Sequence, residues 1–575
     1  MSEHGKGFFR GDTLREMWKE SRWVYSHVRS YRRAILRYIL LGLAATVLSL
    51  LVTVGSKELI NSIVFTGTRI GYGGWRILFY GGTVALLTGL NILLTAVIGR
   101  YSAKINLQVS NELRSEVFGT FLHTDWQSLQ EYHSGDLLSR LNTDVTVVAN
   151  SVLGWVPTLV IQVTRFFAAL CVILVHDPTM ATFALLVAPL SLLAAKPYVR
   201  KMRTLGAELR TVSADMMAFH EEALQNAQSI QAFGLADSFL ERLYGVQSKY
   251  YDSAMKFNRV SVANSAFLSV CSALISYLCL GWGAYRLWAW KVDFGTMVLF
   301  IQLASYLSAS LTVLIKLVPS AIDCTISARR IMAIFERPRE DLTRQAWVEE
   351  RKRAGASVDL ELNGLSLCYD AQERVLEGVN LQIRQGETVA FVGPSGSGKT
   401  TLFRAFLGML KPEAGELRIR LGAEEILASP SARGLFAYVP QDHVMFSGTL
   451  EDSLRLSRPH ATEAELYEAL RLACAEDFVR KLPDGLKHRM RERGGSLSVG
   501  QNQRLALARA LLADAPILLL DEVTSALDLE TEQRVLENLA SLSGKTCILT
   551  THRPSVLSQC DHIYEIRNGH ITKIK

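Results

Sequence analysis

The sequence predicts a six-span α-helical membrane domain followed by an α/β domain built on a parallel sheet. Three observations predict it. Six uncharged apolar runs lie before residue 320, each of the length a helix needs to cross a bilayer. Beyond Val358, short β-rich runs alternate with helical patterns. Between one such strand and one such helix sits a glycine-rich loop. Composition agrees, with 49% of 575 residues apolar and 20% charged, against about 25% charged in soluble chains. Forty Gly and 14 Pro without a G-X-Y period exclude a fibrous or disordered chain. Eight Cys, none in a Cys-x-x-Cys pair, exclude a disulfide scaffold. Cys171, Cys271 and Cys279 lie within apolar runs and read as small buried hydrophobes.

The hydrocarbon core is ~30 Å thick and a helix rises 1.5 Å per residue, so a span takes ~20 apolar residues. The runs are 38–56, 77–99, 145–164, 178–195, 260–285 and 294–315. The third is expected to continue past Arg165 to Val175. Residues 1–350 carry a net charge of +8 and residues 351–575 one of −1, which makes up the +7 of the whole chain. Basic residues in the first part crowd the ends of the apolar runs, which points to a cytosolic membrane face and not to nucleic acid. With the N-terminus inside, the outer connections carry only Arg69 and Lys291. The inner ones carry Arg100, Lys104, Arg114, Arg140, Arg200, Lys201, Arg203 and Arg210. This places the N-terminus and the C-terminal domain in the cytosol of a multi-pass protein of the cytoplasmic (inner) membrane.

The expected organisation follows. Residues 1–33 are cytosolic and too basic for a signal peptide, and 14–28 can lie on the inner surface as an amphipathic helix. Residues 34–335 form the membrane domain, 336–357 a charged linker containing Pro338, and 358–575 the α/β domain. The long inner stretches 100–150 and 199–259 read as helix, so they project far into the cytosol and need something to pack on.

Gly393-Pro394-Ser395-Gly396-Ser397-Gly398-Lys399-Thr400 is a complete P-loop, preceded by the apolar strand 388–392 and followed by a helix over 400–410. Glycines let backbone N–H groups curl around phosphates, and the helix N-terminus adds partial positive charge. Lys399 would reach the terminal phosphates and the Thr400 hydroxyl would ligate Mg²⁺. The run 517–520 then reads as a buried strand ending in Asp521 and Glu522. Acids at such a strand end lie where ligands bind. Asp521 would hold Mg²⁺ through water, and Glu522 would polarise the attacking water.

With these residues in view, the α/β part resembles the nucleotide-binding domain of an ABC transporter, and with six preceding spans the chain resembles a half-transporter of the exporter type. Leu497-Ser498-Val499-Gly500-Gln501 is similar to the family signature LSGGQ, with Val499 in place of the commoner Gly. The resemblance implies that Ser498, Gly500 and Gln501 of one subunit cap ATP held by the P-loop of another, including Ser395, Gly396, Ser397, Lys399, Thr400 and Thr401. With Val499, weakened rather than abolished closure is expected. It implies that Tyr369 stacks on adenine, that Gln441 touches Mg²⁺ and water, and that Asp528 lines the dimer seam. His552, 30 residues after Glu522, would be the switch histidine on the γ-phosphate. Residues 492–494 resemble the exporter cross-linking loop.

The membrane half matches more weakly. Ser139-Arg140-Leu141-Asn142-Thr143-Asp144 resembles the exporter pattern after a first coupling helix near 124–132, and a second coupling helix falls near 224–233. The resemblance implies ATP-driven export or flipping of an amphipathic peptide, lipid or drug by alternating access. Each ATP site needs two subunits, so a homodimer is simplest. A heterodimer with a paralogous half, or a non-exporting ATP-gated sensor or channel, is the alternative reading. Arg165 in mid-span and Lys316 near the inner end of span six would make the cavity positive, favouring a ligand with a carboxylate or phosphate at one end.

Overall fold

The computed structural model describes residues 19–20, 22–66, 74–132, 134–369, 374–441, 446, 448–490, 497–542, 544–551 and 553–575. The chain divides into two compact units: Met1–Gly119 with Ser134–Glu336, and Thr120–His133 with Arg337–Lys575.

The first unit is helical. Its long members are α1 (Arg32–Thr66) and α2 (Gly74–His123), followed after the excursion of residues 120–133 by α4 (Val156–His176), α5 (Pro178–Gln225), α7 (Ala236–Trp288) and α8 (Phe294–Phe335). The short α3 (Trp126–Gln130) lies within the excursion, and α6 (Ala227–Ala232) joins α5 to α7. Five helical stretches among the described residues are long and apolar enough to cross a membrane: Arg29–Val64, Gly74–His123, Ser134–His176, Ala236–Trp288 and Phe294–Leu314. The remaining expected span, 178–195, begins α5, and most of its side chains lie outside the described residues. At 50, 48 and 53 residues, α2, α5 and α7 would each reach over 70 Å at 1.5 Å per residue, roughly twice the hydrocarbon thickness.

Local chemistry sets the breaks. Pro157 sits in the first turn of α4, where its missing N–H costs nothing, and Trp155 before it leaves helical geometry. Asp177 caps α5 by accepting from the Thr179 N–H at 2.9 Å, with Pro178 in the first turn. Between Ser134 and Gly154 the helix includes a π-helical turn, Arg140–Asp144. Arg140 Nε donates to Asp136 at 2.8 Å, and Arg330 of α8 pairs with both Asp136 and Asp144. Ser327 Oγ donates to Asp144 at 2.8 Å. The 139–144 pattern is thus an ion network clamping this turn to α8. Leu50 of α1, Ala169, Leu170 and Ile173 of α4, and Leu299, Phe300 and Leu303 of α8 form one apolar core. Cys171 is exposed in the single chain, against the sequence expectation of burial.

The second unit holds two main sheets. One is antiparallel, ordered β2-β1-β4-β5 (Arg374–Ile383, Val358–Cys368, Ala414–Leu421, Glu424–Leu427). The other is ordered β12-β11-β3-β10-β9-β6 (His570–Lys573, His562–Arg567, Thr388–Val392, Thr546–Thr550, Ile517–Asp521, Phe436–Val439). Only the β11–β12 pair in it is antiparallel. A short antiparallel pair, β7 (Gly448–Thr449) with β8 (Arg489–Met490), forms a separate two-stranded sheet. Every residue of β9 and β10 is buried, which is why β9 reads as an apolar run up to Asp521 and β10 is apolar between its two terminal threonines. The stretch expected as a linker contains a helix, α9 (Gln345–Arg353), whose Val348 is buried in the core beneath the antiparallel sheet. Lys352 Nζ of α9 donates to the Gly434 carbonyl at 2.9 Å. Three further helices used below are α10 (Lys399–Phe406), α11 (Val499–Leu512) and α12 (Leu529–Ala540).

Residues 120–133 belong to this second unit. The Asp125 N–H donates to the Pro338 carbonyl at 2.9 Å, and the Glu340 N–H donates to the His123 carbonyl at 2.8 Å. Arg404 of α10 lies 4.8 Å over the Trp126 ring, and Lys411 pairs with Asp125 at 3.3 Å. The expected second coupling segment, 224–233, forms the turn from α5 through α6, closed by Gly234 at φ +64°. There Phe233 is 76% exposed in the single chain.

Candidate functional site

In the six-stranded sheet β3, β10, β9 and β6 are adjacent and parallel. Their C-terminal ends therefore share one edge, the place where ligands bind in such sheets. The P-loop follows β3, Asp521 and Glu522 end β9, Thr550 ends β10, and Gln441 lies two residues beyond β6. Sheet topology thus gathers chain segments more than 100 residues apart in sequence.

The loop needs its glycines. Gly393 has φ +152°, and a Cβ there would stand 2.3 Å from the Ile566 carbonyl oxygen. Gly398 has φ +104°, and its Cβ would meet Val375 at 2.8 Å. Gly396, at φ +80°, turns the chain between them. Ser395 and Ser397 fill the loop, and the Ser397 N–H donates to the Pro394 carbonyl at 3.2 Å. Lys399, 6% exposed, folds back over the loop and donates to the Gly393 and Pro394 carbonyls at 2.7 and 3.1 Å. Burial holds its pKa below the usual lysine value, while Glu522 and Asp521 pull the other way.

From the start of α10 a chain of hydrogen bonds runs across the strand ends. Thr400 Oγ1 donates to Asp521 Oδ2 at 2.9 Å. Thr550 Oγ1 donates to Asp521 Oδ1 at 2.7 Å and accepts from the Glu522 N–H at 2.9 Å. Gln441 Nε2 donates to Glu522 Oε2 at 3.1 Å. Asp521 is 1% exposed, so both its oxygens are spoken for in a dry setting. Glu522 adopts φ +51°, unusual for a residue with a side chain, at the turn out of β9. From α11, Gln503 Nε2 donates to the Glu522 carbonyl at 2.8 Å.

Among the described residues no group of three or more His, Cys, Asp and Glu could hold a metal alone. A hydroxyl, a carboxylate and an amide side chain fit Mg²⁺ held jointly with nucleotide phosphates, the usual binding mode for that ion. Thr400, Asp521 and Gln441 are the residues that would hold it.

The signature residues take a different place. Ser498 caps α11 in a reciprocal box: its Oγ accepts from the Gln501 N–H at 3.2 Å, and its own N–H donates to Gln501 Oε1 at 2.9 Å. Asp528 caps α12, accepting from the Thr531 N–H at 2.9 Å, which holds its carboxyl below the usual range. Among the described residues, no hydrogen bond of Ser498, Gln501 or Asp528 reaches the 393–400 loop. Gly500 lies against the next loop, where a Cβ would meet the Ala526 carbonyl oxygen at 2.8 Å. Val499 is 65% exposed at the open end of α11. Ser498 is exposed as well, while Gly500 and Gln501 are half-buried.

Tyr369 is half-buried beside α10. Its hydroxyl accepts from Arg404 Nη1 at 2.6 Å and lies 3.2 Å from Thr401 Oγ1. Through Arg404 it is linked to Trp126. His552 and residues 492–494 lie outside the described residues. Sequence reasoning missed Thr550, Gln503 and the Arg404–Trp126 contact. Thr550 lies two residues before His552, but its role needs the β10–β9 register, which pairs it with Asp521.

Comparison with known proteins agrees with this architecture. Residues 35–311 match the family of ABC transporter transmembrane regions, and residues 376–525 match the ABC transporter family. The chain is 30% identical over 441 residues to proteins of Staphylococcus aureus strains NCTC 8325 / PS 47 and COL, whose shared name is that of a multidrug export ATP-binding/permease protein. The match covers 76% of each chain. It also shares the fold of a bacterial Atm1-family ABC exporter solved with ATP bound, with TM-score 0.80 at 21% identity over 94% of this chain and 95% of that one. A membrane-spanning region and an ATP-binding cassette joined in one chain make this protein a member of the ABC transporter family, an ATPase half-transporter of the exporter type.

Proposed function

We propose that the protein works as a homodimer in the cytoplasmic membrane, hydrolysing Mg·ATP to export or flip an amphipathic molecule. The observation that carries the reading is the hydrogen-bonded chain Thr400–Asp521–Thr550–Glu522–Gln441 across four strand ends. Lys399 and the loop N–H groups bind the β- and γ-phosphates. Thr400, Asp521 and Gln441 would hold Mg²⁺, which would supply neutralisation of phosphate charge. Glu522 accepts a hydrogen bond from the attacking water and orients it, with Gln441 fixing the carboxylate. Tyr369 stacks on the base. Ser498 and the Gly500 N–H of the second subunit close over the γ-phosphate from a helix N-terminus. The exposed Val499 and Phe233 fit surfaces that a second copy covers.

Arg165 supports an anionic end on the transported molecule. Its guanidinium lies 4.5 Å over the Tyr306 ring, and its buried Nε has no hydrogen-bond partner. Gln162 Oε1, one turn earlier, and Ser310 Oγ, one turn beyond Tyr306, are likewise buried without partners. Glu58 is engaged by Lys57 at 3.5 Å. The side chain of Lys316 lies outside the described residues. A charge held in an apolar span is costly until it meets water or an anion.

The test is ATP-driven accumulation in inside-out proteoliposomes, with matched anionic and cationic amphiphiles. Uptake and ATPase stimulation by the anionic compound, lost in Arg165→Gln, are expected. Equal stimulation of wild type and variant refutes the anionic assignment. ATP hydrolysis without uptake of any amphiphile would favour an ATP-gated sensor or channel.

A further inference from the structure

Between residues of the 20–35 segment and residues 151–157 and 324–325 lies a cavity of about 110 Å³. Val28, Ile35, Trp155, Pro157 and Cys324 line it, and Glu20 is the one charged side chain in its wall among the described residues. The position relative to a bilayer follows from α4. Its 21 residues rise ~32 Å from Trp155 to the outer connection, one hydrocarbon thickness. Trp155 and Tyr25 therefore stand at the inner interface, the depth at which Trp and Tyr collect. Ile35 follows Arg32 and Arg33, which open α1 with exposed side chains.

Glu20 is 4% exposed. Arg329 Nε donates to Oε1 at 2.5 Å, leaving Oε2 buried without a hydrogen-bond partner. A half-satisfied carboxylate in an apolar wall is costly unless a donor reaches its second oxygen. That donor must come with apolar bulk to fill the cavity and must be cationic or neutral, because an anion would face Glu20 directly. We propose that this cavity binds one inner-leaflet lipid whose head group carries a primary ammonium. The acyl chain lies among Val28, Ile35, Trp155 and Pro157, and the ammonium donates to Glu20 Oε2. The lipid phosphate then falls near the basic start of α1. A choline head group has no N–H to give, and a glycerol head group brings net negative charge, so the site separates ethanolamine lipids from both.

The experiment uses the full-length protein in phosphatidylcholine nanodiscs doped with chain-brominated lipids. Trp155 quenching is read as the difference between wild type and Trp155→Phe. Brominated phosphatidylethanolamine is expected to reach half-maximal quenching at about one-tenth the mole fraction needed by brominated phosphatidylglycerol or phosphatidylcholine, as a charge-assisted hydrogen bond implies. Glu20→Gln should erase that preference while leaving basal ATPase unchanged. Ile35→Phe, which fills the cavity and keeps Glu20, should reduce quenching by all three lipids. Equal quenching by the three in wild type overturns the proposal, as does a preference that survives Glu20→Gln. If Glu20→Gln does not fold, undiminished quenching in Ile35→Phe overturns it instead. Quenching by a brominated alkylamine with none by the ethanolamine lipid would also overturn it, by assigning the site to a soluble amine.

Discussion

Replacing Thr550 by Val removes one oxygen and nearly nothing else in volume. That oxygen donates to Asp521 Oδ1 at 2.7 Å and accepts from the Glu522 N–H at 2.9 Å. Water is largely kept from both bonds, since Asp521 and Thr550 are buried and Glu522 is half-buried just past the end of β9. A hydrogen bond to a charged acceptor is worth about 1.5–3 kcal/mol and a neutral one about 1 kcal/mol. Thr550→Val should therefore cost about 2.5–4 kcal/mol of domain stability. Activity should fall further than folding, because Asp521 loses half its orientation and the strained Glu522 backbone loses the bond that holds it. We expect ATP turnover to drop about 10–100-fold, with Thr550→Ser recovering most of it. Phosphate release from the purified protein, with thermal unfolding in parallel, is the assay. Turnover and unfolding temperature of Thr550→Val both matching wild type would refute the role given to this hydroxyl.

Other outcomes follow from the same geometry. Gly500→Ala places a Cβ 2.8 Å from the Ala526 carbonyl oxygen, and backbone cannot yield cheaply. It should cost about 1–3 kcal/mol in chemical denaturation and lower ATPase at least as much. Tyr369→Ala should weaken nucleotide binding by the ~1–3 kcal/mol of a base–aromatic stack, equally for ATP and GTP in equilibrium titration. Burial pushes the Cys547 thiol from its ordinary 9.0 up to about 12. A raised folded pKa gives stability that is whole below pH 9 and lost as pH climbs toward 12. Denaturation midpoints should therefore fall from pH 9 to 11, with a shallower slope in Cys547→Ala.

What the sequence reveals depends on how local the signal is. β3 runs over the expected Thr388–Val392, and β9 over Ile517–Asp521. Both are buried parallel strands, whose apolar continuity is written in neighbouring residues. The glycines of the P-loop are equally local, each required by its own φ or by one close contact. Thr550 is different, because its partners Asp521 and Glu522 arrive only through strand pairing. The helix α9 hid in a charged stretch because Trp347 and Val348 are its only large apolar residues, too few for a periodic pattern. The Ser498–Gln501 box shows a second limit. The same side chains read as nucleotide ligands from the family resemblance, and in the single chain they cap their own helix. Capping leaves Ser498 and Val499 exposed at the α11 N-terminus.

The account rests most heavily on Glu522 as the group that orients the attacking water. Glu522→Gln keeps the side chain's size, the N–H bond to Thr550 and a partner for Gln441, and removes only the charge. Single-turnover ATP hydrolysis and equilibrium ATP binding, measured on the same purified variant, separate the two functions of the site. The account predicts hydrolysis slowed at least about 100-fold, with ATP affinity close to wild type because Lys399, Thr400 and Asp521 remain in place. Near-normal hydrolysis by Glu522→Gln would contradict it.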